Sequence, residues 1–305
     1  MVDVKEIKSI ELVPFTLMTS SISALLALIY AIILLITFGA LAAFIPAAGL
    51  VFASLGLSML VIFPIGSFMV YITLSFVTAV IYNMLVPRLG GIKLGLEGDE
   101  VKNVPVVPFA LILSGVGAVW AFIIGLILAA IIVPLTTLTS TLIPLIANIT
   151  ANATNMTPAT LPTGSAVGIG GVVLALLLII GLPIFVFVAG FIGNALWAIF
   201  YNFLIPRVGG VRLLFAPAGK AHEITSIPVV AASLAFAVVA TVFGIIQGLF
   251  SLVNGIMAGS ASMAIGGLIG NIIGGFIGTF IMVALITILY NFLAPRIGGV
   301  QLELK

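Results

Sequence analysis

The chain has 305 residues, 63% of them hydrophobic and only 6% charged, with a mean hydropathy of +1.47. Soluble domains carry roughly 25% charged residues, so a water-facing surface is excluded and the solvent is lipid. Ten Lys and Arg against eight Asp and Glu, intermixed, give no nucleic-acid signal, and the absence of cysteine excludes disulfides, thiolate metal sites and iron–sulfur ligation by protein sulfur.

The chain opens on a mixed-charge string with no cleavable signal pattern, so its first hydrophobic segment is expected to stay in the mature protein. Within it, Glu6-Ile-Lys-Ser9-Ile-Glu-Leu-Val13-Pro14 reads as a β-strand feeding a helix. The uncharged tract from Leu12 to Pro87 follows. A bilayer span needs roughly 20 apolar residues, so the tract holds two spans and a turn, predicted near 14–38 and 57–84. Ser23, Ala27 and Ala31 lie four apart on the first, a small-residue face suited to close helix packing. Pro64 predicts a kink in the second.

That second helix closes on Tyr82-Asn83-Met-Leu-Val-Pro87-Arg88-Leu-Gly90-Gly91-Ile-Lys-Leu94. Tyr suits the membrane interface. Pro is expected to stop the helix, Gly-Gly to allow a tight turn, and Ile92 to Leu96 to form a strand.

The same order then repeats. Glu100-Val-Lys-Asn103-Val opens a second copy, with helices predicted near 108–133 and 168–203 and the small-residue face Gly117, Ala121, Gly125. Between them, Leu135 to Ser165 is rich in Thr, Asn and Pro and is read as an extended polar connection. Its sequons at Asn148, Asn152 and Asn155 are of a kind that composition alone produces. Pro183 predicts a kink, and Tyr201-Asn202-Phe-Leu-Ile-Pro206-Arg207-Val-Gly209-Gly210 closes the copy. Glu223-Ile-Thr-Ser226-Ile opens a third, with helices near 229–253 and 266–292, the face Ala240, Gly244, Gly248, and a glycine stripe at 266, 270, 274 and 278 read as close packing. It closes on Tyr290-Asn291-Phe-Leu-Ala-Pro295-Arg296-Ile-Gly298-Gly299. Counted through Leu94, Leu213 and Leu302, eight positions of the closing string are identical in all three copies.

The repeats therefore run 1–96, 97–217 and 218–305. The fold class is an all-α membrane protein, six transmembrane helices as three repeated helical hairpins in a pseudo-threefold bundle, with short cytoplasmic β-strands. Neighbouring repeats pair their strands, which leaves Val4–Ile10 and Val300–Leu304 as free edges. Exposed edges template aggregation, so these two are expected to pair with each other. All ten Lys and Arg lie in residues 1–11, 88–102, 207–223 and 296–305, and the opposite loops carry none. By the positive-inside bias this is a multi-pass protein of the cell membrane with both termini cytoplasmic.

The Tyr-Asn ending followed by Gly-Gly-(Ile/Val)-x-Leu resembles the close of an uncharacterised prokaryotic two-helix transmembrane domain of unknown function, found in actinobacteria and related organisms. The resemblance implies a fold unit and no activity. The Pro-Arg pair and the threefold duplication depart from that pattern.

No Asp, Glu, Lys, Arg or His falls within a predicted span, whereas ion-coupled transporters place an ionisable residue near the midplane. Asn194, Gln247, Asn254 and Asn271 are read as hydrogen-bonding between helices, and His222 as a surface residue. No catalytic constellation, cofactor motif or metal spacing appears. The candidate site is an anion or lipid headgroup site of Arg88, Arg207 and Arg296, each flanked by Asn83, Asn202 or Asn291. Arg suits it because a planar guanidinium binds phosphate bidentately. The functional reading is a non-catalytic integral membrane scaffold or complex subunit that binds membrane lipids or other membrane subunits. The alternative is a channel along the pseudo-threefold axis.

Overall fold

The structure, a computed structural model, describes residues 2–154 and 171–305. Strand β1 (Asp3–Ile10) leads into α1 (Leu12–Phe44), a short 3-10 turn (Pro46–Ala48) and α2 (Gly49–Leu89). Strands β2 (Lys93–Glu97) and β3 (Glu100–Asn103) precede α3 (Val106–Thr154), and α4 spans Gly171–Val208. Then come β4 (Val211–Arg212), β5 (Leu214–Ala218), β6 (Ala221–Ser226), α5 (Val229–Met257), α6 (Ala261–Ile297) and β7 (Gln301–Leu304).

Backbone N–H and C=O groups find no partner in hydrocarbon, so apolar segments of this length satisfy them internally as helices. Among the described residues, six helices are long and apolar enough to cross a membrane: α1, α2, α3 over Val106–Thr136, α4, α5 and α6. The chain is a multi-pass membrane protein. It divides into two compact units, one of Met1–Ile112 with Ala195–Lys305, the other of Leu113–Asn194.

Several expectations are corrected. Each second helix runs two residues past its proline, to Leu89, Val208 and Ile297. Proline lacks only its own N–H, and the next i→i−4 bonds re-form from Gly90 to Val86, Gly209 to Ile205 and Gly298 to Ala294. The helices stop instead at those glycines, where φ is +81°, +88° and +83°. The polar stretch does not begin a loop at Leu135, since α3 continues to Thr154. Leu135, Leu138, Leu142, Leu145 and Ile149 keep a helical period that the Thr and Asn content obscures. The Thr136 hydroxyl bonds back to the Val133 carbonyl at 2.8 Å. The Asn148 and Asn152 sequons thus start on α3, while the one at Asn155 lies outside the described residues. Pro64 lies inside α2, which is helical on both sides of it, and in α4 a π-helical turn at Leu177–Gly181 precedes Pro183.

The small-residue faces pack each hairpin against itself. The Ser23 and Ser67 hydroxyls meet at 2.6 Å between α1 and α2. A Cβ on Gly244 would lie 2.6 Å from the Asn271 carbonyl, and one on Gly248 would lie 2.9 Å from the Leu268 carbonyl. In the second unit, a Cβ on Gly125 would meet the Leu178 carbonyl of the π-turn at 2.0 Å. The stripe of Gly266, Gly270, Gly274 and Gly278 does not pack as expected against the described residues: among them, a Cβ at any of the four would meet nothing within 4 Å. The neighbouring row of Gly267, Asn271 and Gly275 faces α5 instead. There the Asn271 amide donates to Ser251 at 3.1 Å, across helices as read from the sequence.

At the charged end of the helices the strands form one antiparallel sheet in the order β4-β3-β2-β1-β7-β6-β5. The two terminal strands do pair, with Ile7 opposite Leu304 and Ile10 opposite Leu302. The two edge strands, β4 and β5, are consecutive in the chain with only Leu213 between them. The sheet therefore curls until its edges meet in one kinked run, whose first part bonds β3 and whose second part bonds β6.

Candidate functional site

The recurring residues meet where helices join the sheet. In the first copy, the Tyr82 hydroxyl donates to the Ile7 carbonyl at 2.8 Å and accepts from the Ile92 N–H at 3.0 Å. One turn position on, the Asn83 side chain donates to the Ile10 carbonyl and accepts from the Ile10 N–H, both at 2.9 Å. The Gly91 N–H donates to Glu6 Oε1 at 2.8 Å. A helix end and both strands of its repeat are thereby clamped by three side chains.

The second and third copies repeat this bond for bond. Tyr201 joins the Val101 carbonyl (2.7 Å) and the Val211 N–H (3.2 Å); Tyr290 joins the Ile224 carbonyl (2.5 Å) and the Val300 N–H (3.0 Å). Asn202 pairs with both backbone groups of Val104, and Asn291 with both of Ile227. Glu100 and Glu223 accept from Gly210 and Gly299, each at 2.6 Å. The three tyrosines are buried, so a missing partner would leave a desolvated polar group. The Gly91 N–H first, then the Lys8 ammonium, hold the Glu6 carboxyl below the usual carboxylate range. At Glu100 the Lys102 side chain leads and the Gly210 N–H follows, in the same direction.

The second glycine of each pair is required by space. A Cβ on Gly91 or Gly299 would lie 2.0 Å from the carbonyl of Ile7 or Ile224, and one on Gly210 would lie 2.3 Å from that of Val101. The glutamates went unassigned in the sequence, although their recurrence in each opening string was the signal for them.

The arginines stand apart from these clamps. All three are exposed in the last helical turn. The Arg207 guanidinium lies 4.3 Å over the Phe203 ring and that of Arg296 lies 3.8 Å over Phe292. Each also donates to the carbonyl of that phenylalanine. Arg88 has Met84 at the equivalent place. The asparagines point their amide groups into the sheet junction, so the structure does not bring Asn and Arg side chains to one anion. The His222 ring is edge-on to Phe215 at 6.4 Å, with Nδ1 enclosed.

Beneath the sheet lies a cavity of about 430 Å3 that sequence reading missed, since its walls come from seven elements. Leu94, Val101, Val211 and Leu213 form its sheet side. Phe109, Trp197 and Tyr201 form a stacked aromatic wall, with ring centroids 5.4 and 5.2 Å apart. Phe236 of α5 and Val283, Ile286 and Thr287 of α6 complete it. No protein family, curated protein or solved structure matches this chain, so the geometry above carries its functional reading.

Proposed function

We propose that the chain is a non-catalytic membrane scaffold or complex subunit, three copies of a two-helix unit arranged about a pseudo-threefold axis, which holds membrane lipids or partner subunits at its charged face. The observation that carries this is the use made of the recurring residues. Tyr, Asn, Glu and Gly-Gly are spent in every copy on fastening helix ends to one sheet. What recurs three times is therefore a means of holding shape. The apolar lining of the cavity under the sheet speaks against a hydrated channel there.

The ten-to-zero Lys/Arg asymmetry supports both termini lying in the cytoplasm. Reporter fusions after Ser165 and at Lys305 are expected on opposite sides of the membrane; finding both on one side would refute the topology.

Arg88, Arg207 and Arg296 are the headgroup contacts in this reading. Two of the guanidinium groups, both on exposed residues, are already braced on a ring and a carbonyl. Such a fork binds phosphate bidentately, whereas Lys offers a point charge. The triple Arg→Lys variant is expected to keep its melting temperature and to retain several-fold less anionic lipid through purification in mild detergent. Equal lipid content would reduce the arginines to simple charge anchors.

A further inference from the structure

We propose that the cavity beneath the sheet binds a single lipid hydrocarbon chain taken from the surrounding bilayer. The inference deepens the lipid-holding reading above and rests on it. Its first support is the chemistry of the walls. Of the lining side chains only Tyr201 and Thr287 carry a polar atom facing this region besides the Trp197 indole, and both hydroxyls are occupied. Tyr201 is bonded to Val101 and Val211, and Thr287 donates to the Val283 carbonyl at 2.7 Å. A buried water needs two to four polar partners, and apolar cavities of this kind stay dry and take up apolar molecules.

The second support is size and shape. A volume of about 430 Å3 is within the roughly 300–1,000 Å3 of small-molecule sites. Taking a methylene as similar in volume to a water molecule, about 30 Å3, it accommodates on the order of a dozen of them. The flat wall of Phe109, Trp197 and Tyr201 suits an unbranched or flat chain lying along it.

The third support identifies the source. Ile286, 37% exposed, lines this cavity and also a smaller one of about 250 Å3 bounded by Thr19, Ile22, Leu26 and Tyr71. Leu26 and Tyr71 in turn line a groove of about 470 Å3 that reaches Met282 and Leu285 of α6. Every residue lining those two outer pockets belongs to a helix long and apolar enough to span a membrane, and Ile286 is the side chain they share with the cavity under the sheet. In this proposal lipid stands at the outer end, and an entering chain displaces Ile286 to reach the sheet.

Trp120 and Trp197 are the two tryptophans, so a Trp120→Phe variant leaves one reporter on the cavity wall. In nanodiscs of unbrominated phosphatidylcholine, titration with 9,10-dibromostearic acid is expected to quench Trp197 saturably at about one equivalent. Val283→Phe, which fills the cavity, should weaken that binding at least tenfold. Ile288→Phe, on the outer face of α6, should leave it unchanged. Should Val283→Phe not fold, native mass spectrometry of the Trp120→Phe protein counts bound dibromostearate, with one molecule retained as the expected result. Quenching that rises linearly and equally in all variants, or no retained acid, overturns the proposal. Loss of anionic lipid in the triple Arg→Lys variant would still stand in that case, so failure of the cavity and failure of the scaffold reading are separable.

Discussion

Replacing Gly91 by alanine is expected to cost on the order of 4 kcal/mol, or to prevent the protein from folding at all. The added Cβ would sit 2.0 Å from the Ile7 carbonyl oxygen and 3.1 Å from the Tyr82 hydroxyl. Neither neighbour has room to retreat. The Ile7 carbonyl accepts from Tyr82, and the Ile7 N–H donates to Ile92 at 2.8 Å, so the strand is pinned on both sides. Relief would require parting helix end and sheet, with loss of the Tyr, Asn and Glu bonds together. Gly278→Ala provides the contrast, because its Cβ would meet nothing and alanine favours a helix by up to about 1 kcal/mol. Thermal unfolding in detergent, followed by near-ultraviolet circular dichroism, measures both. An unchanged melting temperature for Gly91→Ala would show that the close approach is not a feature of the folded protein.

Asn202→Ala is expected to cost about 2–4 kcal/mol, since it strands one buried donor and one buried acceptor at once. The carboxamide accepts from the Val104 N–H at 2.7 Å and donates to the Val104 carbonyl at 2.8 Å. Val104 is 3% exposed, which leaves little access for water to replace either bond. Asn202→Asp sharpens the test: it keeps the acceptor but sets a carboxylate oxygen against the Val104 carbonyl. If fastening is the role of this residue, aspartate is no better than alanine. Full stability in the aspartate variant, measured by the same unfolding experiment, would contradict the paired geometry.

The sequence made the units legible and left their connections dark. Repetition of the Tyr-Asn and Gly-Gly strings marked helix ends and turns, because an interface residue, a helix terminus and a strand each have a local signature. It could not pair Tyr82 with Ile7, which lies 75 residues away in the chain. It placed Asn83, Asn202 and Asn291 beside the arginines by proximity along the chain. The helix turns them instead toward the opening strands, where a two-sided backbone bond is available. Four-residue spacing on α6 likewise identified a face without fixing its direction. Gly267 and Gly275, one position along from the stripe, are the glycines that meet α5. The cavity was invisible for the same reason: no one segment contains it.

A curled sheet whose first and last strands bond each other has consequences for how load travels through the molecule. Glu6 and Lys305 exchange two backbone bonds, at 2.8 and 3.0 Å, which fasten the end of that seam. A lateral pull on one helix pair, such as a change in membrane tension, is passed to the strands on either side as in a hoop. Load on the hoop concentrates where its seams are shortest, and two of them hold by two register pairs each: β4–β3 through Glu100–Arg212 and Val101–Val211, and β6–β7 through His222–Leu302 and Glu223–Gln301. The first is reinforced by the Arg212 guanidinium, 3.7 Å from Glu100, and by the Leu213 N–H, which donates to the Asp99 carbonyl at 2.7 Å just where pairing passes from β3 to β6.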